Sequence, residues 1–190
     1  YTLSLHDALP ILVLDIERRK MDNKFFKEEI LIGKENIRKL ENKHIALFGI
    51  GGVGSFVAES LVRAGIKKLT IIDFDKIEKS NINRQIHANF ETIGKFKTDV
   101  MSNRIKKINP SIDIEKISLK YNEQNHKKIF NKNWDYIIDA IDMVSSKLLL
   151  IEKAKENNIN IISSMGTANK IKPSQFKITD IFDTKMCPLA

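Results

Sequence analysis

The spacing of apolar and polar residues changes character early in the chain. In "FFKEEILIGKENIRKLENK", Phe26, Ile30, Ile37 and Leu40 recur at roughly helical spacing, which predicts a leading helix interrupted near Gly33. From His44 onward, short runs rich in Ile and other strand formers take over: "HIALFG" (44–49), "KLTIID" (68–73), "IDIEKISL" (112–119), "DYIIDA" (135–140) and "INIISS" (159–164). Between them, residues 54–65, 95–108, 122–132 and 145–157 read as helices. Strands alternating with helices build an α/β, doubly wound, mostly parallel sheet with flanking helices. Such a sheet takes its ligands beyond the carboxyl ends of the strands. A last alternation of polar and apolar residues, "QFKITDI" (175–181), reads as a further strand.

Composition narrows the class. With 190 residues, 42% hydrophobic and 29% charged, the chain suits one soluble domain with a sizeable core. The apolar run Leu9–Leu14 contains a proline and is far shorter than the ~20 residues a membrane span needs, so no membrane span is expected. A single cysteine, Cys187, excludes a disulfide framework within this chain and fits a reducing, cytoplasmic compartment. The net charge of +8 and a pI near 9.4 allow a nucleic-acid partner. Lys, Asn and Ile abound everywhere, so compositional bias explains the charge equally well. The opening "YTLSLHDALPI" resembles translated sequencing-adapter DNA, and Met21 opens a plausible natural start. Residues 1–20 are therefore expected to be a non-native leader and residues 21–190 the folded domain.

The chemistry begins at "GIGGVGS", where a strand turns into a helix. Gly49, Gly51 and Gly54 meet the spacing G-x-G-x-x-G, with an extra glycine at Gly52. Glycine lets a phosphate approach the backbone, and the following helix offers unpaired N–H groups and the positive end of its dipole. That fits a nicotinamide dinucleotide and ATP alike. Asp73 and Asp75 end the second strand ~20 residues further on, where an acid grips ribose hydroxyls. Either could instead cap a turn. In the segment that follows, Arg84 can clamp phosphate oxygens in bidentate fashion and Lys97 adds a point charge. An enzyme that transfers AMP needs such charges as pyrophosphate leaves. Asp142, in "DAIDMVSSK", follows the fourth strand and can hold Mg²⁺ against phosphates, or else cap the helix that starts near Ser145. The sequence G-x-x-x-x-G-K-[ST] is absent, so the chain is not a P-loop ATPase.

Taken together, "GIGGVGSFVAESLVRAGI", "DFD", "SNINRQIHA", "IGKFKTDVMSNRIKKINP", "DAIDMVSSK" and "SSMGTANKIKPSQFKITDI…CPLA" resemble the ThiF/MoeB/HesA adenylating family, related to ubiquitin-activating enzymes. The resemblance runs from about Lys24 to Ala190 and implies a Rossmann-like fold, ATP and Mg²⁺ as cofactors, and a homodimer. It implies that Asp75 binds ribose, that Asn81, Arg84, Gln85 and Lys97 meet the phosphates, and that Asp142 holds Mg²⁺. Arg84, Lys97 and Asp142 are the candidate catalytic residues; Gly49, Gly51, Gly52, Gly54, Asp73, Asp75, Asn81 and Gln85 complete the cofactor-binding set.

The sequence departs from the family pattern in two places. Lys24-Phe25 stands where relatives often have Arg-Tyr or Arg-Phe, and Met165 and Ala168 stand where they often have glycine. The chain also stops inside "CPLA", so the adenylation domain is expected to be incomplete at its C-terminus.

Within the family, the match is nearest to the branch that dehydrates threonylcarbamoyladenosine in tRNA. The expected reaction is adenylation of that carboxylate followed by cyclisation, with modified tRNA as partner and sulfur-transfer proteins as further partners. Two other functions compete. An activator of a ubiquitin-like sulfur carrier protein would use the same adenylation on a protein C-terminus. Many such enzymes carry two C-x-x-C pairs for zinc, whereas Cys187 here is followed at the third place by Ala190. An NAD-dependent oxidoreductase would need a hydride-transfer acid or base. His87 lies in the phosphate segment and His44 begins the first strand, so neither is well placed for that role.

Overall fold

The computed structural model describes residues 24–166, 172, 174, 176–184 and 187; the expected leader and Ala168 lie outside them. Two short helices, α1 (Phe26–Ile32) and α2 (Lys34–Glu41), lead into the sheet. Gly33 separates them at φ 82°, the left-handed backbone that interrupts the predicted helix. Five strands follow: β1 (His44–Phe48), β2 (Lys68–Ile72), β3 (Asp113–Ile117), β4 (Tyr136–Asp139) and β5 (Asn160–Ser163). Between them lie α3 (Gly54–Arg63), α4 (Lys97–Ile108), α5 (His126–Ile129) and α6 (Val144–Glu156). All pairings are parallel and the order is β3-β2-β1-β4-β5.

That order places β1 at the centre, paired with β2 on one side and β4 on the other. The chain leaves β1 in one direction and returns to β4 in the other, so a crevice opens between their carboxyl ends. Alternation along β1 divides the core. Ile45 and Leu47 join Ala58, Val62, Met101 and Ile105 beneath α3 and α4. Ala46 and Phe48 face Tyr121, Trp134, Leu149 and Leu150 beneath α6. The Phe48 ring meets Tyr121 and Trp134 edge-on at centroid distances of 5.0 and 5.6 Å. Trp134 is thus a core residue, and His44 is one as well, buried with Nε2 at 2.8 Å from Thr70 Oγ1.

Two predicted elements differ. The helix expected over 122–132 is only His126–Ile129, because the Asn122 and Asn131 side chains accept from the N–H groups of Asn125 and Asn133 and turn its flanks. The strand expected over 175–181 is not formed by the described residues 176–181. Residues 176–180 are irregular, and Ile181–Asp183 forms a short 3₁₀ turn capped by Asp180, which accepts from Phe182 N. Alternation makes a strand only where a sheet edge receives its apolar face, and here Phe176 and Ile178 are 51% and 93% exposed.

Candidate nucleotide site

The four glycines of the turn after β1 do different jobs. Gly49 sits at φ 85° and packs so closely on β4 that a methyl group there would lie 2.6 Å from the Ala140 carbonyl oxygen. A Cβ on Gly54 would fall on the carbonyl of Gly49. These two close the turn. Gly51 faces open space, and Gly52 faces the aliphatic stem of Arg84, 3.5 Å from where its Cβ would be. No side chain caps the N-terminus of α3, which leaves the positive end of its dipole facing the crevice. Ser55 ties the turn to the polar segment by accepting from Ile86 N at 3.4 Å.

The two acids after β2 also separate. Asp73 is buried, and both its oxygens accept backbone N–H groups: Oδ2 from Ile50 at 2.6 Å and Oδ1 from Asp75 at 2.8 Å. Burial pushes its carboxyl up from the usual range, against the pull of Lys97 and the two N–H donors. Asp73 is therefore occupied with holding the glycine turn. Asp75, half exposed, pairs through Oδ2 with Lys97 Nζ at 2.7 Å, and the Lys97 stem is buried at the first turn of α4. Lys97 N also donates to the Asp75 carbonyl. A base and an acid expected at one nucleotide are thus already joined.

Residues 78–88 form the next wall. Asn81 is buried and accepts from Glu78 N at 3.0 Å, shaping the turn that presents Arg84. The guanidinium of Arg84 is exposed, with Nη1 donating to the Ser80 carbonyl at 2.8 Å and to Asn83 Oδ1 at 3.2 Å. Gln85 is buried with Oε1 unpartnered among the described residues. His87 is 3% exposed, and neither ring nitrogen finds a partner among those residues. Burial, then the charges of Lys97 and Arg104, hold its pKa down to about 4, so the ring is neutral at physiological pH. Lys24 stands apart from all of these, donating to Asn109 Oδ1 at 2.7 Å beyond the far end of α4.

Beyond β4, Asp142 is exposed and makes no hydrogen bond or ion pair among the described residues. It does not cap α6, whose N-cap is Met143 and whose first turn has no side-chain cap. Among the described residues no three His, Cys, Asp or Glu side chains converge into a metal cluster. A free carboxylate is nonetheless a donor that suits Mg²⁺, which completes its shell with phosphate oxygens and water. A cavity of about 280 Å³ is lined by Asn122, Glu123, Gln124, Ser145, Ser146 and Leu149.

Sequence reasoning missed Asp139 and Lys147. Asp139 at the end of β4 is fully buried and pairs with Lys147 Nζ at 2.6 Å. The available signal was helical spacing: Lys147 lies on the same buried stripe of α6 as Leu150 and Ala154, where an unpaired lysine would be costly.

The ThiF family model matches residues 26–183. The tRNA threonylcarbamoyladenosine dehydratase of Bacillus subtilis is 40% identical over 170 residues, covering 90% of this chain and 67% of its own length. The protein of the same name from Haemophilus influenzae is 44% identical, covering 82% of this chain and 59% of its own. The chain thus spans about three fifths to two thirds of these relatives. Crystal structures of the Escherichia coli enzyme TcdA, one with ATP and one with AMP, each give a TM-score of 0.85 at 36% identity, covering 90% of this chain and 69% and 68% of theirs. A turn built on Gly49 and Gly54, acids at the ends of β2 and β4, and a match over most of the sequence lead to one assignment: the chain belongs to the ThiF family.

Proposed function

We propose that this protein uses ATP to adenylate the carboxylate of threonylcarbamoyladenosine in tRNA and so dehydrates it to a cyclic product. The observation that carries the reading is the joined Asp75–Lys97 pair, with Arg84 against Gly52, around an open glycine turn. The similarity to dehydratases, and to one solved with both ATP and AMP, supports it.

The substrate carboxylate attacks the α-phosphate, forming an acyl adenylate and releasing pyrophosphate. Negative charge grows on the departing phosphates, which the exposed guanidinium of Arg84 and the ammonium of Lys97 would stabilise. Asp75 orients Lys97 and accepts from the ribose, while Asn81 and Gln85 complete the polar wall. Asp142 would hold Mg²⁺, which when bound neutralises phosphate charge. A nitrogen or oxygen of the modification itself then closes the ring on the activated carbon and expels AMP. No protein thiol is needed.

The deciding experiment is nucleotide analysis of threonylcarbamoyladenosine-bearing tRNA incubated with protein, ATP and Mg²⁺. Cyclised nucleoside with equimolar AMP is expected; an unchanged nucleoside, with pyrophosphate released only when a sulfur carrier protein is added, would overturn it in favour of carrier activation. No helix among the described residues is long and apolar enough to cross a membrane, and a cytoplasmic location follows from the tRNA substrate. A homodimer would give the exposed Ile30 and Leu31 of α1 an apolar partner, which light scattering tests. Sulfur-transfer proteins are proposed as further partners, to be sought by co-purification.

A further inference from the structure

Lys147 is 1% exposed, and an ammonium taken out of water is destabilising by several kcal/mol unless its surroundings replace the lost hydration. Here they do. Its three N–H donors meet three acceptors: Asp139 Oδ2 at 2.6 Å, Ser163 Oγ at 3.1 Å and the Ser164 carbonyl at 3.0 Å. Asp139 is equally saturated, since Oδ2 also accepts from Ser163 Oγ at 2.5 Å and Oδ1 accepts from Ile141 N at 3.0 Å. A well-packed apolar pair would hold this part of the core at least as well. What an apolar pair could not do is grip two particular backbone groups.

Those two groups lie at the mouth of the crevice. Ile141 immediately precedes Asp142, and Ser164 is the first residue beyond β5. The cluster therefore anchors both loops that leave the β4 and β5 ends of the sheet. We infer that Lys147 and Asp139 are positioning residues, holding the Asp142 carboxylate and the start of the loop after β5 in the arrangement that receives a divalent cation against the nucleotide phosphates; this rests on the reading of Asp142 above. Magnesium demands near-ideal octahedral geometry, so a lone carboxylate on an exposed loop is useful only if its backbone is fixed. Asp142 gets no such support from its own side chain, which caps nothing and bonds to nothing among the described residues. The hydrogen bond to the preceding peptide supplies it.

The test uses Mn²⁺ as the probe, with its binding to the full chain in the presence of a non-hydrolysable ATP analogue read by electron paramagnetic resonance. Lys147→Met alone would strand a buried carboxylate, so the informative variant is Asp139→Asn combined with Lys147→Met, which removes both charges and keeps volume. It is expected to melt cooperatively and to bind Mn²⁺ roughly tenfold more weakly, the lower end of what partners outside the metal shell contribute. Affinity for the analogue without metal should fall by less than the Mn²⁺ affinity, because neither Asp139 nor Lys147 hydrogen-bonds a residue of the glycine turn among the described residues. Ser163→Ala, which removes hydrogen bonds but leaves the ion pair, should shift Mn²⁺ affinity in the same direction by about twofold to threefold, and it carries the test should the double variant not fold. Wild-type Mn²⁺ affinity in the folded variants, alongside clear weakening in Asp142→Asn, overturns the inference alone. Unchanged affinity in Asp142→Asn overturns the reading of Asp142 and the inference with it.

Discussion

The ends of β2 and β4 are built alike up to one atom. At each, a buried aspartate turns back to accept the N–H two residues on: Asp73 from Asp75, and Asp139 from Ile141. Each also has a second acid further out, Asp75 or Asp142. The difference lies in the other oxygen of the inner aspartate. Asp73 gives it to Ile50 N and so holds the glycine turn, while Asp139 gives it to Lys147 and Ser163 and holds β5. The outer acids differ to match, with Asp75 already paired to Lys97 and Asp142 unpaired among the described residues. One side of the crevice is assembled in advance, and the other keeps a carboxylate free. Both sides have a buried floor that sets backbone positions and an exposed rim that can meet a ligand.

If floor and rim are truly separate, changes to the floor should cost stability and changes to the rim should cost chemistry. The harshest floor variant is Gly54→Ala, whose new methyl group would fall on the Gly49 carbonyl. Backbone atoms cannot step aside as a side chain can, so a loss of about 4 kcal/mol or more is expected, the scale of the most disruptive single changes. Urea denaturation measures it, and a loss below about 1 kcal/mol would mean the turn is looser than drawn.

On the rim, Arg84→Ala should lower ATP–pyrophosphate exchange by roughly a hundredfold, the effect of removing one preorganised donor to developing charge. Calorimetric ATP affinity should fall much less, and the melting temperature should hardly move because the guanidinium is exposed. Equal losses in affinity and rate would make Arg84 a binding residue only.

The third prediction concerns His87, on the floor. Its folded pKa of about 4 lies below the ordinary 6.5. Between those values the unfolded chain takes up a proton that the native chain refuses, so stability falls as pH drops from 6.5 towards 4 and the loss is complete below that. The full effect is about 3 kcal/mol by linkage. His87→Phe keeps a ring and removes the titration. The fall in unfolding free energy from pH 7 to pH 4.5 should therefore be smaller in the variant than in the wild type, and equal falls would place the ring in water.

These assignments were legible in the sequence to different depths. All five strands were, because "HIALF" and its counterparts are short, rich in strand formers and separated by helical spacing. Asp75, Asp142 and Arg84 could be singled out as candidates, Asp75 and Arg84 by their place after the glycine loop and Asp142 mainly by the family resemblance. Which of Asp73 and Asp75 turns inward was not, since both follow the last residue of β2 and only the path of the loop decides. Asp139 and Lys147 escaped notice because helical spacing puts Lys147 on the buried stripe of α6 without naming its partner, which lies eight residues away across a strand and a helix. The alternation at 175–181 misled because hydropathy records a face without recording whether a sheet edge receives it.

The smallest effect on the fold, and the finest test of the separation, comes from Gly51. It shares the motif with Gly49 and Gly54, yet its φ is not left-handed and an added methyl group would meet no atom within 4 Å. Gly51→Ala should therefore change stability by no more than about 0.5 kcal/mol, as at an ordinary exposed position. The same methyl group would stand where a phosphate must approach the backbone N–H groups, so ATP affinity should fall by about tenfold, near the loss of one modest hydrogen bond. Calorimetry with ATP beside a thermal melt reads both. Unaltered affinity would move the phosphates away from this turn, towards Arg84 and Lys97 alone. A large stability loss would instead make Gly51 part of the floor, and the division of the motif into closing and opening glycines would fail.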